Sequence, residues 1–361
     1  MTTTMPKVLM VSDGHGGEIY DQALSRGFRD EGCEVVSFSW KGYFHHYQYA
    51  DRYPTDGNRL KSFYYRLQNK LIFGPAVWKI QRDLLKYARR ERPDLVFIYR
   101  GTHVWPSTLK RLTVMGAHVV GYNNDDPFSD RYPFYFWRHF KRGLKHYTHV
   151  FAYRHKNIPE LKAAGAPAVS LLRSYYLHTA TRPIAKPELA CDVIFIGHFE
   201  ADGRDDLMMH LLNQGINLKL YGTSWKKSRH YEAFCQHMGG PIVPLYGEDY
   251  GAGLASAKVA LVFLSKLNND TYTRRCFEIP AVGTLMACEK TDDIASLFEP
   301  GKEVVLFENA DDLAAQLKSL LATPDRLAAM AKAGHARLLA DGHEVQDRAH
   351  QVLTTLGFKA S

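Results

Sequence analysis

Twice along this chain the same pattern begins: an apolar run, a turn rich in small or polar residues, then a segment of helical periodicity. The first copy opens with Lys7–Ser12 (K-V-L-M-V-S), turns at Asp13-Gly14-His15-Gly16-Gly17 and continues helically over residues 18–30. A second apolar run covers 34–40, and others follow at 94–99, 117–122, 149–153 and 168–172. Runs without polar alternation suit strands buried on both faces, which is the habit of parallel sheets. Residues 174–190 carry Pro183 and Pro187 and lose the periodicity. The pattern then restarts with D-V-I-F-I-G at 192–197, a helix at 205–214, and runs at 216–222, 258–264, 284–288 and 303–307. Helices are expected at 311–321, 324–340 and 344–356. Strands alternating with helices predict the α/β class, with doubly wound parallel sheets. The restart predicts two successive α/β domains, 1–175 and 191–342, joined by a linker at 176–190 with a cleft between them. A closing segment follows at 343–361. Ligands of such sheets bind outside the carboxyl ends of the strands, so the loops after strands are where chemistry is sought.

The bulk properties narrow the partners. The formal charge is +8 and the pI about 9.1, which favours an anion: a nucleotide, a phospholipid, a polyanionic glycan or a nucleic acid. No groove-reading or base-stacking module accompanies the charge, so nucleic acid is not expected. Five cysteines, odd in number and without a C-x-x-C pair, suit a reducing compartment. The start leads directly into a strand without a signal-peptide core, and no apolar run approaches the ~20 residues of a membrane span. A cytoplasmic protein is expected, with the inner membrane face as a surface it can touch.

The densest chemistry lies at Thr273-Arg274-Arg275-Cys276-Phe277-Glu278, followed by a glycine-led turn into an apolar strand. Guanidinium groups make bidentate contacts with phosphate. Glu278, one helical turn beyond Arg274, can accept hydrogen bonds from the two hydroxyls of a ribose. The plainer alternative is an i,i+4 salt bridge worth a few tenths of a kcal/mol. Asp270 stands eight residues before Glu278. Gly197-His198-Phe199-Glu200 ends the first strand of the second half, and Arg204 follows at a helix entrance suited to a diphosphate. His198 is a further sugar or phosphate contact. At the end of the next strand come Gly222 and Trp225, the latter able to flank a base or simply to fill the core.

The first half offers acid–base groups at its strand ends. The Asp13–Gly17 turn is neither a Walker loop nor the dinucleotide fingerprint, yet its glycines permit close backbone approach to a ligand. Asp13 and His15 are base candidates there, as are His103 after the run at 94–99 and Asp126 after that at 117–122. The pair Asp125 and Asp126 could also hold a divalent metal or act only as turn residues. Residues 132–147 (Y-P-F-Y-F-W-R-H-F-K-R-G-L-K-H-Y) mix aromatics with Arg138, Lys141, Arg142 and Lys145. Such a helix can dock on an anionic bilayer or pack one face and solvate the other.

Several blocks carry a family resemblance: F-I-G-H-F-E and G-R-D-D-L, then L-Y-G-T-S-W, T-R-R-C-F-E-I-P-A-V-G-T-L-M-A and L-F-E-P-G-K-E-V-V-L-F. Over roughly residues 190–355 the chain resembles the glycosyl transferases group 1 family, and within it the CgeB-like spore-maturation branch. The resemblance implies a GT-B fold, two Rossmann-like domains facing a central cleft, with the donor nucleotide in the C-terminal domain and the acceptor in the N-terminal one. It implies a last helix that packs on the N-terminal domain. It implies transfer from a nucleotide-diphosphate sugar to a glycan, lipid-linked or other hydroxyl acceptor, in cell-surface glycan or glycoconjugate synthesis. No cofactor and no metal are expected, the nucleotide sugar serving as co-substrate. Glu278 matches the acid that holds the donor ribose, and Arg204 and Arg275 match basic positions facing the diphosphate. Asp270 stands where many relatives carry a Glu, one methylene longer. The alternatives are a sugar-nucleotide epimerase of the same fold and a non-catalytic sugar-nucleotide or glycan-binding protein of a surface or spore-coat assembly.

Overall fold

The apolar runs become two all-parallel sheets in the computed structural model, which describes residues 5–14, 17–44, 59–182 and 184–359. The chain divides into two compact units: residues 1–173 with 345–361, and residues 174–344.

Unit 1 contains β1 (Lys7–Ser12), α1 (Asp21–Asp30), β2 (Glu34–Ser39), α2 (Arg59–Leu71) and α3 (Pro75–Glu91). These are followed by β3 (Leu95–Tyr99), α4 (Pro106–Val114), β4 (His118–Asn123), α5 (Arg138–Gly143), β5 (His149–Ala152), α6 (Asn157–Ala163) and β6 (Val169–Leu171). Its six strands lie in the order β2-β1-β3-β4-β5-β6. Register follows the apolar pattern, with Val8 level with Val35 on one side and Leu95 on the other. Val8, Leu9, Val96, Ile98, Val119 and Val120 are fully buried, each worth ~1.5–3 kcal/mol relative to exposure. Pro75 and Pro106 start α3 and α4, where the missing N–H costs nothing.

Unit 2 contains β7 (Cys191–Ile196), α7 (Arg204–Asn213), β8 (Leu218–Tyr221), α8 (Tyr231–Met238), α9 (Gly247–Ala255) and β9 (Ala257–Val262). Then come α10 (Arg275–Ala281), β10 (Leu285–Glu289), α11 (Asp292–Leu297), β11 (Val305–Phe307), α12 (Ala310–Leu321) and α13 (Pro324–Ala340). The sheet order is β11-β10-β9-β7-β8. Thr291 and Asn309 cap α11 and α12 by accepting from Ile294 N and Asp312 N. The core is apolar and aromatic around Phe195, Phe263, Phe307 and Trp225.

Two features depart from the sequence expectation. Residues 176–190, read as a linker, lie in unit 2 and pack on α9: Ala180 O faces Gly251, and Lys186 bonds to Asp249 and Ser256. The 132–147 segment is not one amphipathic helix. Its helical part is α5, and Trp137, Phe140, Leu144 and Tyr147 are buried in the unit 1 core. Arg138, one of the candidate lipid contacts, donates to the Leu71 and Ile72 carbonyls at the end of α2. After unit 2 the chain returns to unit 1 as α14 (Val345–Thr355), which packs along α1. Among the described residues no helix is long and apolar enough to cross a membrane.

Candidate functional site

Both sheets have a switch point, where connections leave toward opposite sides. In unit 2 it lies between β7 and β9, and in unit 1 between β1 and β3. Crevices at such points are where open parallel sheets take ligands.

At the unit 2 switch point, three loops converge. The loop after β8 approaches the end of β7 so closely that a Cβ on Gly222 would sit 1.8 Å from the Gly197 carbonyl oxygen. Gly222 has φ +147°, which also excludes other residues. Trp225 Nε1 donates to the same Gly197 oxygen at 2.9 Å. Trp225 is thereby a core residue, ringed by Phe195, Phe199 and Phe234. This corrects its reading as a base-flanking side chain: indole burial and one satisfied N–H account for it.

Arg275, the first residue of α10, lies across the end of β7. Its Nε donates to Ile196 O at 2.8 Å, its guanidinium stands over Phe195, and Nη2 would be 3.1 Å from a Cβ on Gly197. Glycine at 197 thus makes room for the guanidinium. Among the described residues the Arg275 Nη atoms have no hydrogen-bond partner, and Thr273 Oγ1 close by is buried without one. Arg274 and Glu278 form the expected i,i+4 pair at 3.2 Å. Glu278 is only 3% exposed, and its second oxygen accepts from Tyr250 Oη at 2.6 Å. Burial first, then the Glu278 charge, raises the Tyr250 phenol well above its usual range, so it stays a donor. Tyr250 has no sequence signal and enters the site only through folding.

Arg204 is held by protein partners. Asp202 clasps it in bidentate fashion, at 2.8 Å to Nε and 2.7 Å to Nη2, while Nη1 donates to His198 O at 2.9 Å. The buried guanidinium organises the β7–α7 loop, because a charge removed from water must be paired. His198 is exposed and bonds to Glu200 at 2.9 Å, and Glu200 also accepts from Ser265 Oγ at 3.0 Å, joining the loops after β7 and β9. Asp270 is half-buried in the β9–α10 loop, its N–H on Ser265 O at 3.0 Å.

In unit 1, Asp13 and Arg100 end β1 and β3 on either side of the switch point. Arg100, at φ +52°, reaches Asp13 Oδ2 at 3.4 Å and Asp125 Oδ2 at 2.8 Å. Burial pulls its pKa down, but Asp125 and then Asp13 more than reverse this. Sequence reasoning missed Arg100, although a charged residue closing an apolar run was a visible signal. His15 lies outside the described residues.

Two base candidates are structural. His103 is buried against Trp40 and Phe44, with Nε2–H donating to Asn69 Oδ1 at 2.9 Å and Nδ1 accepting from Thr102 at 3.0 Å. The tautomer follows because a carbonyl oxygen only accepts. Burial, then His139 and Arg100, push its pKa down to about 3, so it is a neutral core residue. Asp126 has no exposed surface and accepts from Phe128 N, Asn157 Nδ2 and Lys156 Nζ at 2.9, 2.7 and 3.1 Å. It ties the turn after β4 to α6.

Residues 204–354 match a family model described as glycosyl transferase-like. No curated protein matches the sequence. Three similar solved structures are sucrose-phosphate synthase from Thermosynechococcus elongatus, HepE from Anabaena in complex with UDP-glucose, and a glycosyltransferase from Rickettsia africae. Their identities to this chain are 14%, 12% and 10%, with TM-scores of 0.68, 0.64 and 0.68. Each alignment covers 98% of this chain, and 100%, 99% and 99% of the other.

The fold is GT-B. Its C-terminal Rossmann-like unit holds Arg275, Glu278 and Tyr250, and the family match lies over that unit and α14. Among the described residues of this GT-B chain, Asp205, Asp206 and His230 offer atoms within 4.8 Å of one another. Ser228 already holds Asp205, and Arg229 and His230 both hold Asp206. The two carboxylates are therefore already held by protein partners.

Proposed function

We propose that this chain is a glycosyltransferase that moves a sugar from a nucleotide-diphosphate sugar to a hydroxyl acceptor. The observation that carries the proposal is Arg275, held by Ile196 O at the switch point with its Nη groups clear of protein partners among the described residues. The acceptor oxygen bonds to the anomeric carbon, the bond from that carbon to the diphosphate breaks, and the acceptor's proton passes to a base. Arg275 opposes the charge that grows on the leaving diphosphate, and does so most strongly in the transition state. Thr273 Oγ1 is a second donor. Glu278, aligned by Arg274 and Tyr250, receives the ribose. Asp13 is the base if configuration inverts. If it is retained, the leaving phosphate takes the proton.

The match to a glycosyl transferase-like model and the likeness to a structure holding UDP-glucose support this reading. We assign the chain to the CgeB-like branch on its R-C-F-E and F-E-P-G-K-E blocks, and to metal-independent transfer in surface-glycan synthesis at the cytoplasmic side. The test is incubation with UDP-, GDP- and ADP-sugars, with and without hydroxyl acceptors. Acceptor-dependent release of nucleotide diphosphate is expected, with a new nucleotide sugar pointing to epimerisation instead. Arg275→Ala should weaken donor binding at least tenfold, about 1.4 kcal/mol. Full donor affinity in that variant would overturn the site.

A further inference from the structure

Helix α2 is built inside out. Its apolar residues Leu60, Phe63, Tyr64, Leu67 and Leu71 recur at i, i+3, i+4, i+7 and i+11, a single stripe along one face. A soluble protein would turn that stripe into its core. Here the stripe faces outward, from 82% exposed at Leu60 to 42% at Leu71. The side turned to the protein carries one aromatic, Tyr65 against the unit 1 core, beside polar residues: Gln68 is buried and accepts from the backbone N–H of Ala76 at 2.8 Å, and Asn69 holds His103. These bonds fix the helix's rotation, so the stripe cannot be hidden by rolling it. Phe73 and Trp78, just beyond the helix, are also exposed and meet edge to face at 6.1 Å.

Charge names the surface that fits. The helix carries Arg59, Lys61, Arg66 and Lys70 and no acidic residue. At about 100° per residue, Arg59, Arg66 and Lys70 border the stripe on one side, and on the other Lys61 lies beyond the buried Gln68. An apolar band edged by cations, with aromatics along it, matches the boundary between acyl chains and anionic headgroups. A second copy would set these like charges against each other.

We propose that α2 lies on an anionic phospholipid surface, its Leu60–Leu71 stripe in the acyl region and the Arg59, Arg66 and Lys70 edge among the headgroups. Arg138 of the 132–147 segment secures the end of α2. Lipid binding by α2 does not depend on the glycosyltransferase reading.

The test is co-sedimentation of the full chain with vesicles of equal parts phosphatidylglycerol and phosphatidylcholine, against pure phosphatidylcholine. Binding to the anionic vesicles and at least tenfold weaker binding to the neutral ones are expected, with loss at high salt. A Leu60→Ser, Phe63→Ser, Leu67→Ser variant and an Arg59→Gln, Lys61→Gln, Arg66→Gln, Lys70→Gln variant should each lose binding at least tenfold. Both should keep nucleotide-sugar affinity, which lies in unit 2. Hydrogen exchange of the wild type should slow over residues 59–71 only with anionic vesicles, a readout that needs no variant. Absent co-sedimentation, unchanged binding in both variants, or no added protection would overturn the proposal. A stripe-dependent dimer in sedimentation velocity without vesicle binding would assign the face to a second copy instead.

Discussion

Glu278 is an acid that folding has placed almost entirely out of water, and its two neighbours define what it can do. Arg274 on one oxygen and Tyr250 on the other hold it in one orientation. Glu278→Ala should lower nucleotide-sugar affinity about tenfold or more by isothermal titration. Tyr250→Phe removes a hydrogen bond to a buried carboxylate, which costs about 1–3 kcal/mol, and should lower both Tm and donor affinity. If donor affinity is unmoved by both changes, Glu278 is structural. His103 sets a different test. Its folded pKa, about 3, lies below the unfolded value near 6.5. The unfolded chain therefore binds the extra proton between these limits, and stability falls as pH drops below ~6.5. The loss should approach about 1.4 kcal/mol per pH unit once well below that value. His139 and His149, also depressed by burial, add in the same direction. His103→Gln should flatten the slope of denaturation midpoint against pH between 6.5 and 5.

Gly222 shows how much an element boundary can matter. An alanine there would place Cβ inside the Gly197 carbonyl contact and demand a left-handed φ. Gly222→Ala should cost at least ~3 kcal/mol and weaken donor binding, because the β7 and β8 loops must part. The same scale explains what the sequence revealed. Strands were legible to within about two residues because parallel strands are apolar on both faces, as in β1 and β7. Helix α9 was not legible, since Gly-Glu-Asp-Tyr-Gly-Ala-Gly-Leu-Ala reads as a turn. Its glycines serve approach, with Gly251 against Ala180 O and Gly253 against Leu245 and Ile196. Tyr250 rides on that helix, so its bond to Glu278 was invisible. The arginines were legible as charges at strand ends, but not their directions. Arg275 reaches a strand carbonyl, whereas Arg204 is captured by Asp202, and one-dimensional spacing does not separate the two. Residues 132–147 misled for a related reason: basic side chains between aromatics do not say which set turns inward.

The chain passes through unit 1, builds unit 2, and comes back. Helix α14 covers α1, with a Cβ on Gly27 placed 2.7 Å from Val345 O, so the two backbones meet across a glycine. Glu31 binds Gln346, His350 and Lys359, and Gln351 donates to Leu171 O at 2.8 Å. Removing residues 345–361 should therefore destabilise unit 1. Hydrogen exchange should rise across β1, α1 and β2, and spare α10 and α13. Unchanged exchange in α1 would show that α14 is dispensable. The return of α14 also has a consequence for synthesis on the ribosome. Helix α1 is translated more than three hundred residues before α14, so its apolar side stays uncovered until α14 emerges. Unit 2 has all of its own sequence by residue 344 and can fold first, so the order of maturation runs opposite to the order of translation.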